Sequence, residues 1–326
     1  MIEMAGTTHL IGKVIAGVDE AGRGPLAGPV VAAAVILDPD NTPAGLKDSK
    51  LLSPKRRTEL AKQIRATSKA VGIGMVHEQE IDRTNILRAT LKAMFRAIED
   101  LDIRPDHVRV DGNRPIPELK IQQETIIGGD KSVTEISAAS IIAKTTRDQM
   151  MISYDVLFPE YGFSSHKGYG SQKHMEALRA KGRCPIHRRS FSPVAQASNE
   201  NYQYFQRESA YGRMGEVIAG MYLVRHGYIL MEHGFHAGRD GEIDLIVTDG
   251  TTLSFIEVKS FAGRPDDEEA LERVTLAKQD QIARVAEAFL QNDTIQEQDY
   301  RFDIMTVNFS TPKPVIKHYE EAFLPI

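Results

Sequence analysis

Three apolar runs in the first half of this chain each end in acidic residues, and this repeated arrangement limits the folds that the chain can adopt. The runs cover residues 14–18, 107–110 and 125–127, and their composition predicts strands. The acidic residues that follow them are Asp19, Glu20, Asp111 and Asp130. Carboxylates at the ends of neighbouring strands converge into one pocket, where divalent cations relieve their mutual repulsion. The pattern therefore predicts a Mg²⁺ or Mn²⁺ site for phosphoryl transfer, with a solvated strand end as the alternative for any single carboxylate.

A glycine- and proline-rich loop follows the first acidic pair. Residues 22–29 contain three glycines and two prolines. The glycines leave the backbone accessible to a ligand, and the prolines restrict its conformation. Arg23 lies between two of the glycines, and its guanidinium suits a phosphate ligand. The loop predicts close approach of backbone to a ligand, and a tight turn is the plain alternative.

The segment 19–31 resembles the ribonuclease HII family, the type 2 ribonucleases H. The similarity continues in that family's order and spacing through residues 47–50, 136–144, 147–148, 166–170 and 185–191. It extends over residues 13–193 and implies a ribonuclease H-like fold. It also implies an endonuclease that cuts RNA paired with DNA, including single ribonucleotides embedded in DNA, on their 5′ side to leave a 3′-OH.

The resemblance implies a role for each matching residue. Four match the catalytic carboxylates that hold two Mg²⁺ or Mn²⁺ ions at the scissile phosphate: Asp19, Glu20, Asp111 and Asp130. Six match substrate-binding positions: Gly22, Arg23, Gly24, Lys47, Lys144 and Tyr169. The loop contacts the ribose 2′-OH, the group that distinguishes RNA from DNA, and Tyr169 stacks near the RNA-to-DNA junction. Leu51 departs from the family, which usually carries a second lysine there.

Composition predicts a cytoplasmic protein without a membrane segment. The chain has 326 residues, 41% of them hydrophobic, which is enough for two domains with separate cores. Its single cysteine, Cys184, excludes an internal disulfide and fits a reducing compartment. The longest apolar stretch, residues 30–37, is too short to span a bilayer, and the N-terminus lacks a secretory pattern.

The charge balance changes sign along the chain. Residues 1–195 carry 28 Lys and Arg against 23 Asp and Glu, whereas residues 196–326 carry 12 against 22. The first part therefore has the sign expected for binding a polyanion, and the second does not. The small, polar stretch 192–201 and the partly helical pattern over 202–210 predict a linker at 194–210 between domains at 13–193 and 211–320.

Strand runs alternate with helical patterns, which predicts an α/β fold. In the first domain, Ser53 and Pro54 predict the start of a helix that runs to about residue 66. Apolar residues at helical spacing predict further helices over 81–98 and 133–151. In the second domain we expect a helix over 211–226, followed by a hairpin with strands 241–247 and 253–259.

The second domain carries its own group of charged residues. Glu257 and Lys259 share one face of their strand, and Asp244 lies thirteen residues before Glu257. An Asp followed by Glu-x-Lys is the pattern of PD-(D/E)xK nucleases, in which carboxylates hold Mg²⁺ and the lysine orients water or stabilises negative charge. A solvated strand face is the alternative.

Residues 212–216, 241–246, 255–259 and 301–303 together resemble the YraN family, which is related to archaeal Holliday-junction resolvases. The match covers residues 211–309 and implies a smaller α/β, restriction-endonuclease-like domain with branched DNA as its substrate. The family's candidate catalytic positions correspond to Glu216, Asp244, Glu257 and Lys259. The chain lacks the basic residues that the family carries after Lys259 and after Lys278. An acidic, non-catalytic binding module is therefore the alternative for this domain.

We interpret the chain as a ribonuclease HII domain fused to a nuclease-like domain. A hybrid-binding protein without catalysis is the alternative for the whole chain, although a binder gains nothing from four carboxylates facing phosphate. A DNA exonuclease with a ribonuclease H-like fold is a third interpretation, but it would not need a loop that recognises the 2′-OH.

Overall fold

A computed structural model describes residues 12–46, 52–197, 211–238, 241–262, 267–291 and 299–324. Lys47 and most of the predicted linker lie outside these described residues. The chain forms two compact units. The first comprises the described residues up to Gln149, together with Lys167–Met175 and Cys184–Ala197. The second comprises Met150–His166, Glu176–Arg183 and the described residues beyond Ala197.

The first unit contains a five-stranded sheet in the order β3-β2-β1-β4-β5. Its strands are β1 (Ile15–Ala21), β2 (Val30–Ile36), β3 (Ala70–Val76), β4 (His107–Asp111) and β5 (Gln122–Ile126). Strand β2 is antiparallel to both of its neighbours, β1 and β3, whereas β1, β4 and β5 are parallel. Parallel strands place equivalent ends at the same edge of a sheet, so the acidic ends of β1 and β4 are neighbours.

Eight α-helices follow β2 in the described residues up to 197. They are α1 (Pro54–Thr67), α2 (Glu78–Arg83), α3 (Ile86–Glu99), α4 (Gly129–Ser132), α5 (Thr134–Leu157), α6 (Phe163–His166), α7 (Gln172–Lys181) and α8 (Ser192–Ala195). The predicted start of α1 is confirmed, because Ser53 Oγ accepts a hydrogen bond from Arg56 N. The single helix predicted over 81–98 is wrong. Asn85 has an extended backbone and accepts a hydrogen bond from Arg88 N, which starts a new helix.

Helices cover both faces of the first sheet. Ala32 and Ala34 of β2 belong to the core that includes α3, whereas Ala33 and Val35 face α1 and α5. A strand buried on both faces is typical of the centre of an α/β layer structure. Gly17 lets α5 pack directly on β1, since a Cβ at this position would lie 2.2 Å from the carbonyl carbon of Glu135. This close packing brings the first turns of α5 to the acidic end of β1.

The second unit contains another five-stranded sheet, in the order β10-β9-β8-β7-β6. Its elements are α9 (Tyr211–Arg225), β6 (Ile229–His236), β7 (Glu242–Thr248), β8 (Thr252–Phe261), α10 (Asp267–Glu272), α11 (Leu276–Leu290), β9 (Asp299–Asn308) and β10 (Val315–Phe323). The predicted hairpin of β7 and β8 is confirmed, with Gly250 at a φ of 101° in its turn. Both sheets fit the predicted α/β class. No helix in the described ranges is long and apolar enough to cross a bilayer.

Candidate functional site

Strand register brings three of the predicted carboxylates together in the first unit. Val18 of β1 is paired with Val110 of β4, so Asp19 and Asp111 follow on adjacent strands. Adjacent strands lie about 4.8 Å apart, which places these side chains at one edge of the sheet. Glu20 is the next residue of β1, and its backbone N–H donates a 2.7 Å hydrogen bond to Asp19 Oδ1.

A cavity of about 380 Å³ opens at this edge. The predicted residues that line it are Asp19, Glu20, Asp111, Gly22, Arg23, Gly24, Lys144 and Tyr169. Arg57 of α1 and Ser140 of α5 also line it, and the sequence had not singled them out for function. Lys47, the remaining predicted substrate-binding residue, lies outside the described residues.

Asp130 lies beside the cavity and does not line it. It is buried in the short helix α4, with its backbone nitrogen 3.4 Å from Asp111 Oδ1. Its backbone carbonyl accepts a hydrogen bond from Ser137 Oγ (2.7 Å). Asp130 is therefore a close neighbour of Asp111, which does line the cavity.

Burial and mutual repulsion make the ionised carboxylates unfavourable in this cavity. Burial, followed by repulsion from Glu20 and Asp111, raises the pKa of Asp19 well above its ordinary value. A hydrogen bond from Ser140 partly opposes this change. Burial also raises the pKa of Glu20, although Arg23, 3.3 Å away, favours its ionised form.

The donor chemistry fits a hard divalent cation. Buried carboxylates whose pKa values are raised by one another bind Mg²⁺ or Mn²⁺ through oxygen and are relieved by its charge. As the described side chains stand, no three His, Cys, Asp or Glu residues converge closely enough to ligate a single ion. Asp19, Glu20 and Asp111 nevertheless lie within range of one another's charge and share one cavity.

Two buried arginines hold the glycine-rich loop in place. Arg188 donates hydrogen bonds to the carbonyls of Gly22 (2.6 Å), Arg23 (3.0 Å) and Gly28 (2.9 Å). Arg147 of α5 donates in the same way further along, to Ala27 and Pro29. Burial lowers the pKa of Arg147 to about 10 and that of Arg188 to about 9, so both stay charged at neutral pH. The loop is therefore fixed by side chains that come from distant parts of the chain.

Basic and aromatic side chains form the other wall of the cavity. Lys144 Nζ lies 2.7 Å from Asp148 Oδ1 and 5.9 Å from the centre of the Tyr169 ring. Arg57 Nη1 lies 3.8 Å from the other carboxylate oxygen of Asp148, Oδ2. The Tyr169 ring is about half exposed. This wall can therefore offer positive charge to phosphates and a ring face to a base.

The second unit brings its predicted residues together as well. Burial, followed by repulsion from Glu257 and Glu216, raises the pKa of Asp244 to about 7. Val258 N–H donates a 2.7 Å hydrogen bond to Asp244 Oδ2. Lys259 Nζ lies 2.6 Å from Glu257 Oε1. Helix α9 and strands β7 and β8 thus contribute to one charged cluster.

Two further residues join this cluster and were not predicted as site residues. Lys278, in the first turn of α11, lies 3.1 Å from Glu257 Oε2. His233 of β6 lies 3.0 Å from Glu216 Oε2. No local pattern marks Lys278, because its contact with Glu257 joins helix α11 to strand β8. Buried Glu257 is therefore flanked by two lysines, one on the Glu-x-Lys strand and one on a helix.

Comparisons with known proteins divide the chain in two. Residues 16–194 match the family model described as Ribonuclease HII, and residues 215–307 match Uncharacterised protein family UPF0102. The Ribonuclease HII of Polaromonas sp. (strain JS666) is 56% identical over 183 residues, which are 56% of this chain and 92% of that relative. The Ribonuclease HII of Idiomarina loihiensis is 54% identical over 181 residues, 56% of this chain and 96% of the relative. The crystal structure of ribonuclease H2 from Pyrococcus horikoshii OT3 is 29% identical and covers 56% of this chain and 95% of its own, with a TM-score of 0.48.

Proposed function

Because this chain belongs to the ribonuclease HII family, whose model covers residues 16–194, it is a ribonuclease H, and we propose that its first half cuts the RNA strand of RNA–DNA hybrids and single ribonucleotides embedded in DNA. Cleavage is on the 5′ side and leaves a 3′-OH. One observation carries the proposal: the carboxylates Asp19, Glu20 and Asp111 share a cavity with the glycine-rich loop and Tyr169. A nuclease needs the acidic cluster, and selection for RNA needs the adjacent loop.

The carboxylates Asp19, Glu20 and Asp111, with Asp130 beside them, are the residues that would hold Mg²⁺ or Mn²⁺. Two such ions, when bound, would neutralise the carboxylates and stabilise the negative charge that develops on the scissile phosphate. Ser140 orients Asp19 through its hydrogen bond. The Arg23 guanidinium, beside Glu20, is placed to contact the phosphate that flanks the ribonucleotide.

Recognition of RNA falls to the loop of residues 22–24. Arg188 already engages the carbonyls of Gly22 and Arg23, so the loop conformation is set before substrate binds. A preorganised backbone loses little entropy on binding and can contact the 2′-OH without interference from side chains. Lys144 and Arg57 supply positive charge at the same cavity. Lys47, which is not among the described residues, is the remaining residue proposed to bind substrate.

Metal dependence separates this function from simple hybrid binding. We expect the full-length chain to cleave a labelled hybrid in Mg²⁺ or Mn²⁺, to stop in excess chelator, and to keep its hybrid affinity in a filter-binding assay. Asp111→Asn should abolish cleavage, whereas Asp102→Asn, at an exposed carboxylate, should not. Cleavage that survives both the chelator and Asp111→Asn would refute the proposed chemistry.

The second half is proposed as a metal-dependent DNA nuclease that acts on branched DNA. The convergence of Glu216, Asp244 and Glu257, with Lys259 against Glu257, supports this candidate. The acidic balance of this half predicts weak DNA affinity that depends strongly on salt. A non-catalytic module that kept the fold is the competing proposal. The proposed domain limits remain 13–193 and 211–320, with the linker at 194–210.

A four-way junction at low salt distinguishes the two candidates for the second half. The assay should use the full chain carrying Asp111→Asn, so that the first site is silent. Metal-dependent nicking that is lost on adding Lys259→Ala, and kept on adding Lys313→Ala at an exposed lysine, supports a second nuclease. No nicking in any of the three proteins supports the non-catalytic module.

A further inference from the structure

The turn that carries Tyr169 is held through three successive carbonyl groups. Arg147 Nη1 donates to the carbonyl of Lys167 (2.9 Å), Leu26 N to that of Gly168 (2.8 Å), and His174 Nδ1 lies 2.9 Å from that of Tyr169. Lys167 has a φ of 53°, a left-handed conformation that is unfavourable for a residue with a side chain. The Tyr169 carbonyl also accepts a hydrogen bond from Ser171 N (2.8 Å), so the turn depends on these four donors to keep its shape.

Hydrogen-bond chemistry assigns both rings of a buried histidine pair. His187 Nδ1 accepts a 2.9 Å hydrogen bond from Cys184 N–H, so the His187 proton is on Nε2. His187 Nε2 lies 3.0 Å from His174 Nε2, which must therefore accept. His174 then carries its proton on Nδ1 and donates it to the carbonyl of Tyr169. Each hydrogen bond thus determines which nitrogen of the next ring carries the proton. Both rings are almost fully buried.

The segment that holds this pair also holds the glycine-rich loop. His187 forms an isolated β-bridge with Ala27, and Arg188 N donates to the carbonyl of Leu26. The Arg188 side chain, one residue on, engages the carbonyls of Gly22 and Arg23. Consecutive residues thus fix the loop on one side and the Tyr169 turn on the other.

We infer that His174 and His187 are positioning residues that hold the Tyr169 ring at a set distance from the loop of residues 22–24. An added Cβ on Gly24 would lie 3.6 Å from Tyr169 Cε1, so the ring lies beside the loop, and both line the cavity. A ribonucleotide bound there meets the loop at its 2′-OH and the ring at the junction, and the histidine pair sets the gap between the two. This inference rests on the proposed ribonuclease function.

A buried histidine pair could instead serve only the stability of the core. A positioning role predicts an effect that passes through the Tyr169 ring and disappears when the ring is removed. A purely structural role predicts the same loss of activity with or without the ring. A double-mutant cycle between residues 174 and 169 separates these cases.

The kinetic test uses a DNA duplex with one ribonucleotide. His174→Leu removes the donor, and we expect it to raise KM by about 3–10-fold with little change in kcat, the range for one lost hydrogen bond. His174→Asn retains a donor where Nδ1 stood and should restore most of this loss. In a Tyr169→Ala background, His174→Leu should have no further effect on KM. An equal KM increase in both backgrounds would overturn the inference.

A second measurement does not depend on catalysis. The chain contains no tryptophan, so Tyr169→Trp places a single reporter in the turn. We expect His174→Leu to lower the fluorescence anisotropy of this tryptophan, and His174→Asn to leave it nearly unchanged. His107→Leu, at a buried histidine of β4, serves as the matched control and should change nothing. Unchanged anisotropy in His174→Leu would refute positioning, even if the proposed ribonuclease activity were absent.

Discussion

Gly22 and Arg147 leave no room for another atom between them: a Cβ on Gly22 would lie 2.1 Å from Arg147 Nε. The guanidinium is buried and donates to the carbonyls of Pro29, Ala27 and Lys167. It cannot move without breaking these bonds. One buried cation thus requires glycine at the start of the loop and also supports the turn that presents Tyr169.

Gly22 and Gly24 should therefore respond differently to the same substitution. Gly22 has a φ of 97°, so Gly22→Ala adds backbone strain to the contact with Arg147 and should lower the free energy of unfolding by about 1–3 kcal/mol. Gly24→Ala meets only an ordinary contact with Tyr169 and should lower activity while the protein stays stable. Thermal denaturation and cleavage assays of both variants check this. Equal destabilisation of the two would contradict the role assigned to Arg147.

Asp19→Asn should stabilise the metal-free protein while abolishing cleavage. The pKa of Asp19 is raised in the folded state, so its ionised form lowers stability once the pH exceeds the ordinary carboxylate value. At pH 7.5 we expect the variant to melt a few degrees above the wild type, and near pH 3.5 the difference should vanish. Added Mg²⁺ or Mn²⁺ should raise the midpoint of the wild type more than that of the variant. A metal-free variant that melts lower at pH 7.5 would contradict this account.

Much of the acidic cluster could be predicted from the sequence, because strand-end carboxylates follow directly from short β-branched runs. The parallel pairing of β1 with β4 then places Asp111 next to Asp19. Ser140 and Arg57 could not be predicted in the same way. Their position depends on how α5 and α1 pack on the sheet, and the contact at Gly17 that sets α5 is not a local property of the chain.

Apolar spacing also gave a wrong helix prediction at a position where a polar side chain ends one helix and starts another. Apolar spacing continues across residue 85, but Asn85 caps a new helix there. In the second half, the Glu-x-Lys strand and its hairpin were predictable from alternation and the turn at Asp249-Gly250. The contact of Lys278 with Glu257 joins a helix to a strand and is set by tertiary packing alone.

The stability of the second half should depend on pH through Asp244. Its pKa is about 7 in the folded metal-free state and close to 3.8 in the unfolded chain, so the free energy of unfolding falls as the pH rises between these values. Asp244→Asn should melt like the wild type near pH 4 and several degrees higher at pH 8. Asp249→Asn is a control that should melt lower than the wild type at pH 8. Hydrogen bonds from Thr252 and Thr251 lower the pKa of Asp249, so its ionised form stabilises the fold. A lower midpoint for Asp244→Asn at pH 8 would show that Asp244 is not under repulsion.

Lys278 should contribute both to stability and to DNA binding. Glu257 is buried between Lys259 and Lys278, and Lys278→Met leaves one of its oxygens without that partner, at a cost of about 1–3 kcal/mol. If Lys278 also meets phosphate, the salt dependence of four-way-junction binding should become shallower by about one unit of log–log slope. Lys313→Met should change both the free energy of unfolding and the salt dependence of binding less than Lys278→Met does. A destabilised variant with an unchanged salt slope would confine Lys278 to a structural role.

The most direct measurement of the central claim is cleavage of a DNA duplex that contains one ribonucleotide, compared with the same duplex made entirely of DNA. The chain used should carry Lys259→Ala, so that the second site contributes nothing. We predict a single cut on the 5′ side of the ribonucleotide in Mg²⁺ or Mn²⁺, and no cut in the all-DNA duplex. Equal cutting of the two duplexes, or no cutting of either, would contradict the assignment of Asp19, Glu20, Asp111 and the adjacent loop to a ribonucleotide-specific nuclease.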